Sequence, residues 1–313
     1  MRSHACWLIL AVVAVIAPSR ATFAEAPPIH LRIGIGGDAS SSEPVFAKQT
    51  GIFRRHGIDA DIVVGIDGAQ TAKAIGDGKL DLGYGNVIGT VQANQRGEHF
   101  VLLATGGMYR SAAPITVLAQ SIDADFRTGK DLIGKKIATP RANDLGQIAV
   151  MSWLDKHGGD ARSVEFVHGI PIQDIAAALA DHRIDAGLIT EPQWTIQRKR
   201  GTVKLLANSF GAIAPRYANS AFFAERSWAE ANPEAARRFA RAMQETARWA
   251  NKHHAEAQKI LASQMKVPLS TITGAIRIVY ADSLQAKLVQ PPLDAAARYG
   301  LIRPVRAEDL MLR

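Results

Sequence analysis

The stretch GDGKLDLGYGN, Gly76–Asn86, has an echo about a hundred residues further on, ADHRIDAGLIT, Ala180–Thr190. Each puts a small turn behind an Ala-rich segment, then an aspartate, then a short apolar run that holds glycine. Aligning the two places Asp81 opposite Asp185, 104 positions later (185 less 81). The same offset carries Ile33 of LRIGIGG onto Ile137 of KKIATPR, and Val63, Gly65 and Ile66 onto Val167, Gly169 and Ile170. Ala72, Ala74 and Ile75 fall on Ala176, Ala178 and Leu179. A series of matches in one register is an internal duplication.

Each copy reads strand, helix, strand, helix, strand. LRIGIG and KKIAT are short apolar runs that end in loop residues, as buried parallel strands do. Ser40 and Glu43 stand at capping-box spacing and predict a helix start. Asn143-Asp144 opens the matching helix of the second copy, which Gly158-Gly159 closes. Strands alternating with helices imply βαβ units with right-handed crossovers, hence two mainly parallel sheets and two lobes. FVLLA (100–104) reads as a fourth strand of the first lobe, PITVLA (114–119) as the way into the second, and VKLLA (203–207) as the way out. Asn232-Pro233-Glu234 then opens a helix whose Phe239, Ala240, Met243, Ala247 and Ala250 recur at helical spacing. This tail is expected to pack back on the first lobe. The expected division is 25–112 with 216–313 for lobe 1 and 113–215 for lobe 2, with hinge crossings near 108–113 and 211–218. Ligands of such sheets bind beyond the carboxyl ends of the strands, so two facing lobes predict one closing cleft.

At 313 residues, 47% hydrophobic and 21% charged, the chain has the composition of an ordinary globular protein. Ala5–Ala17 is an unbroken apolar run, shorter than the roughly 20 residues a membrane span needs. Pro18 ends it, and Thr22-Phe23-Ala24 offers small residues at a cleavage site. Residues 1–24 therefore read as a secretory signal peptide cleaved after Ala24, and the mature protein as soluble and periplasmic. Cys6, the only cysteine, falls inside that signal, which leaves no thiol for a disulfide, a metal or a nucleophile. Against 29 acidic residues stand 37 basic ones; losing Arg2 and Arg20 lowers the net charge from +8 to +6. Arg54, Arg55, Arg198, Lys199 and Arg200 read as solvated helix faces without the aromatic interleaving of a nucleic-acid surface.

The strand ends supply the candidate ligand contacts: Gly37, Asp38, Ser40, Ser41, Tyr84, Asn86, Met108 and Tyr109 from the first lobe, and Arg141, Asn143, Asp144, His168, Glu191 and Trp194 from the second. Small polar residues and free backbone N–H groups at a helix start favour an anion, and Arg141 would add a forked donor. Asp38 and Asp144 oppose that reading and welcome an amine. Each of these residues also has a plain structural role open to it: Ser40 and Asn143 as caps, the aromatic rings as core, Arg141 as surface charge, His168 as a hydrogen bonder. Gly34-Ile35-Gly36-Gly37-Asp38-Ala39 mimics a dinucleotide fingerprint, but Gly34 falls within the strand and no acid closes the next one. No G-x-S-x-G, no H-E-x-x-H and no metal-spaced cluster occurs, so no catalytic residue, metal or cofactor is expected. Asp77 and Asp81, like Asp181 and Asp185, read as turn and strand-start residues away from the cleft.

Taken in order, the signal, LRIGIG with its Ser-rich loop, TGIFRRHGIDADIV, GDGKLDLGYGN, DLIGKKIATP and DAGLITEPQW resemble the periplasmic solute-binding proteins of ABC importers. Among these they resemble the group for nitrate, taurine and alkanesulfonates, with its relatives that bind pyrimidine precursors of thiamine. The resemblance covers Leu31 to about Ser263. It implies a two-lobed type II periplasmic binding protein fold with the ligand cleft between lobes. It also implies a monomer that carries a small organic solute, acidic or planar polar, to a permease at the inner membrane. The family's glycine/serine loop maps onto Gly36–Ser42. Its second-lobe loop is here Arg141-Ala142-Asn143-Asp144-Leu145-Gly146, without the usual Gly and Ser, a departure that touches any sulfonate or nitrate assignment. The same fold also carries pyrimidine synthases and a chorismate-dehydrating enzyme, and a periplasmic sensor module is a third use. The absence of cysteine after Cys6 speaks against the synthases' cysteine-rich iron motif, and the signal peptide against both enzymes.

Overall fold

The computed structural model describes residues 27–312; the signal-peptide reading of residues 1–24 lies outside the described residues. The first copy runs β1 (Ile29–Ile35), α1 (Glu43–Gln49), α2 (Ile52–Arg55), β2 (Ile58–Val64), α3 (Gly68–Gly76), β3 (Leu82–Asn86), α4 (Val87–Gln95) and β4 (Phe100–Thr105). Through β5 (Gly107–Arg110) and β6 (Thr116–Ser121) the chain enters the second copy. That copy comprises β7 (Lys136–Ala138), α5 (Leu145–Lys156), β8 (Glu165–Val167), α6 (Ile175–Ala180), β9 (Ala186–Thr190), α7 (Gln193–Lys199) and β10 (Val203–Ala207). β11 (Arg216–Ala218) and β12 (Ser220–Glu225) return, followed by α8 (Arg226–Ala231), α9 (Pro233–Lys252), α10 (His254–Met265), α11 (Leu269–Thr273), β13 (Val279–Tyr280) and α12 (Ala286–Arg298).

Two five-stranded sheets result, ordered β2-β1-β3-β12-β4 and β8-β7-β9-β6-β10. The two orders are the same, with one antiparallel strand, β12 or β6, in the equivalent place. Register repeats as well. Ile33 pairs with Ile62 and Leu82, while Ile137 pairs with Phe166 and Ala186, each partner shifted by the same 104.

The repeated aspartate has a structural task. Asp81 Oδ2 accepts the Arg32 backbone N–H at 2.8 Å, and the Asp81 N–H returns to the Arg32 carbonyl at 2.9 Å. In the second copy Lys136 N donates to Asp185 Oδ2 at 2.9 Å, and Asp185 N donates to the Lys136 carbonyl at 2.8 Å. Each aspartate thus ties the start of the third strand to the first, at the sheet end remote from the loops that follow β1 and β7.

The strands are apolar because helices cover both faces. Leu31, Ile33, Ile35 and Leu82 are sealed from solvent. Gly34 is buried inside β1, where a Cβ would meet Leu80 Cδ1 at 2.6 Å and Ile66 Cδ1 at 2.8 Å. That glycine admits α3 and its flanks to the sheet, and it belongs to no nucleotide loop.

α9 lays Phe239, Ala242, Met243 and Ala247 against α1, α2 and β4. α12 does not stay with the first sheet alone: it touches α4, β11 and α5, and Tyr299 just beyond it donates to Asp155 Oδ2 at 2.8 Å. At the crossing, β11, β5 and β13 form a small antiparallel sheet.

The capping box expected at Ser40 and Glu43 is not formed. Asp38 caps a short 3-10 turn, Ala39–Ser41, and Ser42 occupies the N-cap of α1 without a side-chain cap bond. The extra turn points Glu43 inward instead of back along the chain, and it is fully buried.

Candidate functional site

Four helix-start loops follow the carboxyl ends of β1, β2, β3 and β7. Asp38 Oδ1 accepts the N–H groups of Ser40 (2.8 Å) and Ser41 (3.1 Å), and the Ser40 hydroxyl as well. Ser41 and Ser42 turn their hydroxyls to the Asp38 carbonyl, at 3.0 and 2.9 Å. Asp67 and Gln70 form a reciprocal capping box at α3. Asn86 Oδ1 accepts Gly89 N at 2.6 Å, and Asp144 Oδ1 accepts Gln147 N at 2.9 Å. Asn143 adopts φ +56° and donates its N–H to Gln147 Oε1 at 2.8 Å.

The loops of the two copies meet. Arg141 Nη2 lies 3.7 Å from Asp67 Oδ2, and Gln92 Nε2 on α4 donates to the Asn143 carbonyl at 3.1 Å. Here the two lobes face each other across the expected cleft. Asp144 is mostly buried; burial raises its carboxyl above the usual range, against the Gln147 and Gly146 N–H groups and the Arg141 charge, which lower it. His168 Nδ1 lies 3.0 Å from Thr139 Oγ1, with its ring over Phe166. Glu191 is held by Thr195, at 2.8 Å to its hydroxyl, and by the Ile276 N–H at 3.1 Å, which joins the second lobe to the C-terminal segment.

Beside this cleft, Pro140, Gly169, Ile170, Pro171, Ile172, Ile175 and Leu188 line an apolar cavity of about 250 Å³. In the opposite lobe, the Tyr84 hydroxyl bonds Ser220 Oγ, and burial with the Asp38 charge holds its phenol far above the ordinary value. The Tyr280 hydroxyl donates to the Ala39 carbonyl at 2.5 Å.

Asp38 and Ser40 stand on the loop after β1 and Arg141, Asn143 and Asp144 on the loop after β7, with Gly37 exposed beside Asp38 and Asn86 as a cap, while Ser41 and Tyr84 are buried. Met108, Tyr109 and Trp194 do not join them. Met108 and Tyr109 are buried in the crossing sheet, where Tyr109 donates to Asn208 Oδ1 at 2.6 Å and packs on Tyr217 and Phe210. Trp194 is buried in the core of the second lobe with Arg198 over its ring.

Gln92, Ser220 and Tyr280 lie outside the strand-end segments that the sequence singles out, whereas Asp67 (in Ile66-Asp67-Gly68) and the pair Gly106-Gly107 lie inside them. A Cβ at Gly107 would meet Ser40 Cβ at 2.8 Å, and one at Gly106 would strike the Tyr84 ring, so these glycines let the corner close.

The sequence profile described as NMT1/THI5 like matches residues 41–257, more than half of the chain. The chain belongs to the NMT1/THI5-like family. A relative from Brucella abortus (strain 2308), named there as a candidate binding protein, is 29% identical over 248 residues, covering 78% of this NMT1/THI5-like chain and 74% of that protein. The 4-amino-5-hydroxymethyl-2-methylpyrimidine phosphate synthase of Schizosaccharomyces pombe is 26% identical over 57% of this chain and 46% of its own. Among solved structures, the periplasmic aliphatic sulphonate binding protein SsuA of Escherichia coli superposes with a TM-score of 0.73 at 20% identity, covering 91% of this chain and 92% of that one. The alkanesulfonate-binding SsuA of Xanthomonas axonopodis pv. citri gives 0.70 at 22%, over 92% and 100%. At these identities the likeness shows the fold, the two-lobed periplasmic binding protein fold. No helix among the described residues is long and apolar enough to cross a membrane.

Proposed function

We propose that this protein is the substrate-binding component of an ABC importer, exported to the periplasm. It captures a small organic solute between its lobes and passes it to a membrane permease. The observation that carries this reading is the meeting of the two strand-end loop sets at Arg141–Asp67 and Gln92–Asn143, with an apolar cavity beside them. Residues 25–112 with 216–313 make one lobe and 113–215 the other, with β5 and β11 as the crossings, and the protein acts as a monomer without catalytic residues. The ligand contacts are drawn from Gly37, Asp38, Ser40, Ser41, Tyr84, Asn86, Arg141, Asn143, Asp144, His168 and Glu191. Of the head groups open to the sequence, a planar polar one has support in that each helix start already gives one or two of its amides to a side chain of the protein.

A thermal-shift panel of taurine, alkanesulfonates, aromatic acids, pyrimidines and aromatic amines tests the reading. A ligand at 100 times its Kd stabilises by about 2.7 kcal/mol, or roughly 5–10 °C here. The hit should come back chemically unchanged and should reduce the radius of gyration in small-angle scattering. Conversion of the hit to a product would favour the enzyme reading that the Schizosaccharomyces pombe synthase suggests.

A further inference from the structure

Two helices far apart in the sequence carry most of the chain's net charge. α2 ends in Arg54 and Arg55, and α9 bears Arg237, Arg238, Arg241, Arg248 and Lys252. Against these seven cations the two helices hold two carboxylates, Glu234 and Glu245, which leaves an excess of five. The chain after residue 24 has an excess of six in all, so the remainder is close to neutral.

The fold gathers these residues onto one surface. α2 packs on α9, where Glu245 accepts from Arg55 at 2.6 Å and lies 2.7 Å from His56 Nε2, and Arg238 Nη1 donates to the Gly57 carbonyl at 3.4 Å. α9 buries Phe239, Met243, Ala247 and Ala250. Its other side carries Arg237, Arg241, Arg248 and Lys252 in a row at helical spacing, all exposed. At the helical rise per residue that row is about 22 Å long.

Internal pairing does not neutralise the face. Glu234 alone serves Arg237, Arg238 and Arg241, at 3.1, 2.9 and 3.7 Å. Arg54, Arg248 and Lys252 form no ion pair among the described residues. The adjoining α1, α8 and α10 add Lys48, Arg226 and Lys259 against Glu230 and Glu256, with Glu43 sealed inside, so they do not cancel the excess.

Six of the seven cations are arginine, whose planar fork matches the oxygens of a phosphate. Trp249, the aromatic residue nearest the row, has its ring between Phe46, at 6.0 Å, and His253, at 5.3 Å, which leaves no free face on which a nucleic-acid base could stack. A straight row of guanidiniums on the outside of a helix suits a planar array of phosphates.

We propose that this face docks on an anionic phospholipid bilayer, with the arginines of α2 and α9 meeting headgroup phosphates. The attachment is electrostatic and reversible. For a protein that delivers a solute to a permease, it holds the carrier at the membrane; the docking itself does not depend on that reading.

The test is co-sedimentation with vesicles of phosphatidylglycerol in phosphatidylcholine, and with vesicles of phosphatidylcholine alone. Residues 1–24 are omitted, since all the described structure lies after them. Binding should be confined to the anionic vesicles and should fall steeply with added salt. Arg54→Gln, Arg248→Gln and Lys252→Gln combined break no ion pair and should weaken binding roughly 100-fold, the product of three cations lost near a charged surface. An equal loss of exposed charge on the second lobe, Lys130→Gln, Lys136→Gln and Arg162→Gln combined, should leave binding within about 3-fold of the parent, because distant charges are screened. Both triple variants alter exposed side chains alone and should melt close to the parent. Binding to neither kind of vesicle, or equal binding to both, would overturn the proposal. So would equal weakening by the two triple variants, since net charge and not this face would then be responsible. Retention of the parent on immobilised poly-glutamate, lost in the α2/α9 variant and without vesicle binding, would assign the face to an acidic protein and overturn the lipid assignment. None of these outcomes bears on solute binding, which the thermal-shift panel reads separately.

Discussion

His182 and Gly78 occupy the same position in the two copies, 104 residues apart, and both have left-handed backbone, φ +54° and +69°. The turn between the second helix and the third strand requires that conformation, and only glycine adopts it without cost. His182→Gly should therefore stabilise the protein by about 0.5–1 kcal/mol, and Gly78→Ala should destabilise it by about 1 kcal/mol, read as shifts in urea midpoint.

Glu43 provides a pH test. Burial raises its carboxyl well above the ordinary value. In the pH window between the unfolded and the folded value, the folded state holds a proton that the unfolded state has lost, so stability falls as pH rises through it. Glu43→Met removes both the titration and the unpartnered oxygens. The stability gap between Glu43→Met and the parent should widen from pH 4.5 upward in urea titrations; a gap independent of pH would remove Glu43 as its source. Nothing near Glu43 in the chain announced this. Its spacing from Ser40 pointed to a cap, and one additional 3-10 turn, set by Asp38, directed it inward.

Among elements, the approach of helix to sheet is governed by glycine. Gly83 and Gly187 are again equivalent. A Cβ on Gly187 would meet Ile175 Cγ2 at 2.8 Å, and one on Gly83 would strike Thr71. Gly187→Ala should cost about 1–3 kcal/mol through overpacking, measured by chemical denaturation, with far-UV circular dichroism unchanged at low denaturant.

The aspartate that closes each strand pair also has an electrostatic part. At Asp81, burial raises the carboxyl, and the hydrogen bonds and charge of Arg32 more than offset it, leaving it below the usual value. That contribution is complete above the unfolded pKa and is lost as pH falls through the folded one. Elements of this kind were legible because both partners lie inside one copy and the copy occurs twice. β12 was not, since its neighbours β3 and β4 lie more than a hundred residues back, and a short apolar run does not disclose which sheet will receive it.

For the molecule as a whole, the contact between lobes is polar and slight on the cleft side. Arg141 and Asp67 are both well exposed, a setting in which an ion pair contributes about 0–1 kcal/mol. Arg141→Ala should leave the melting temperature of the ligand-free protein nearly unchanged. Its effect should appear instead as a modest increase in radius of gyration by small-angle scattering.

The architecture could be read from the duplicated strands, and the placement of the cleft followed from strand direction alone. Its chemistry was less accessible. Tyr84, read as a strand-end ring, is buried, and its hydrogen-bond partner Ser220 lies 136 residues away. Tyr109 and Trp194 resembled ligand-stacking rings until packing buried them. An aromatic residue after a strand has the same sequence signature in a core as in a site.

The position of β12 also dictates an order of assembly. β4 is bordered on one side by β12 and touched on the other by Met311. Both arrive after the second copy has been made. While the chain emerges from a ribosome, β4 has no strand neighbour on either side until the segment after residue 219 is free. The second sheet, built from β6 to β10 without interruption, has no such wait. The copy that is synthesised first is therefore the one that must finish last, with the edge of β4 open during that interval.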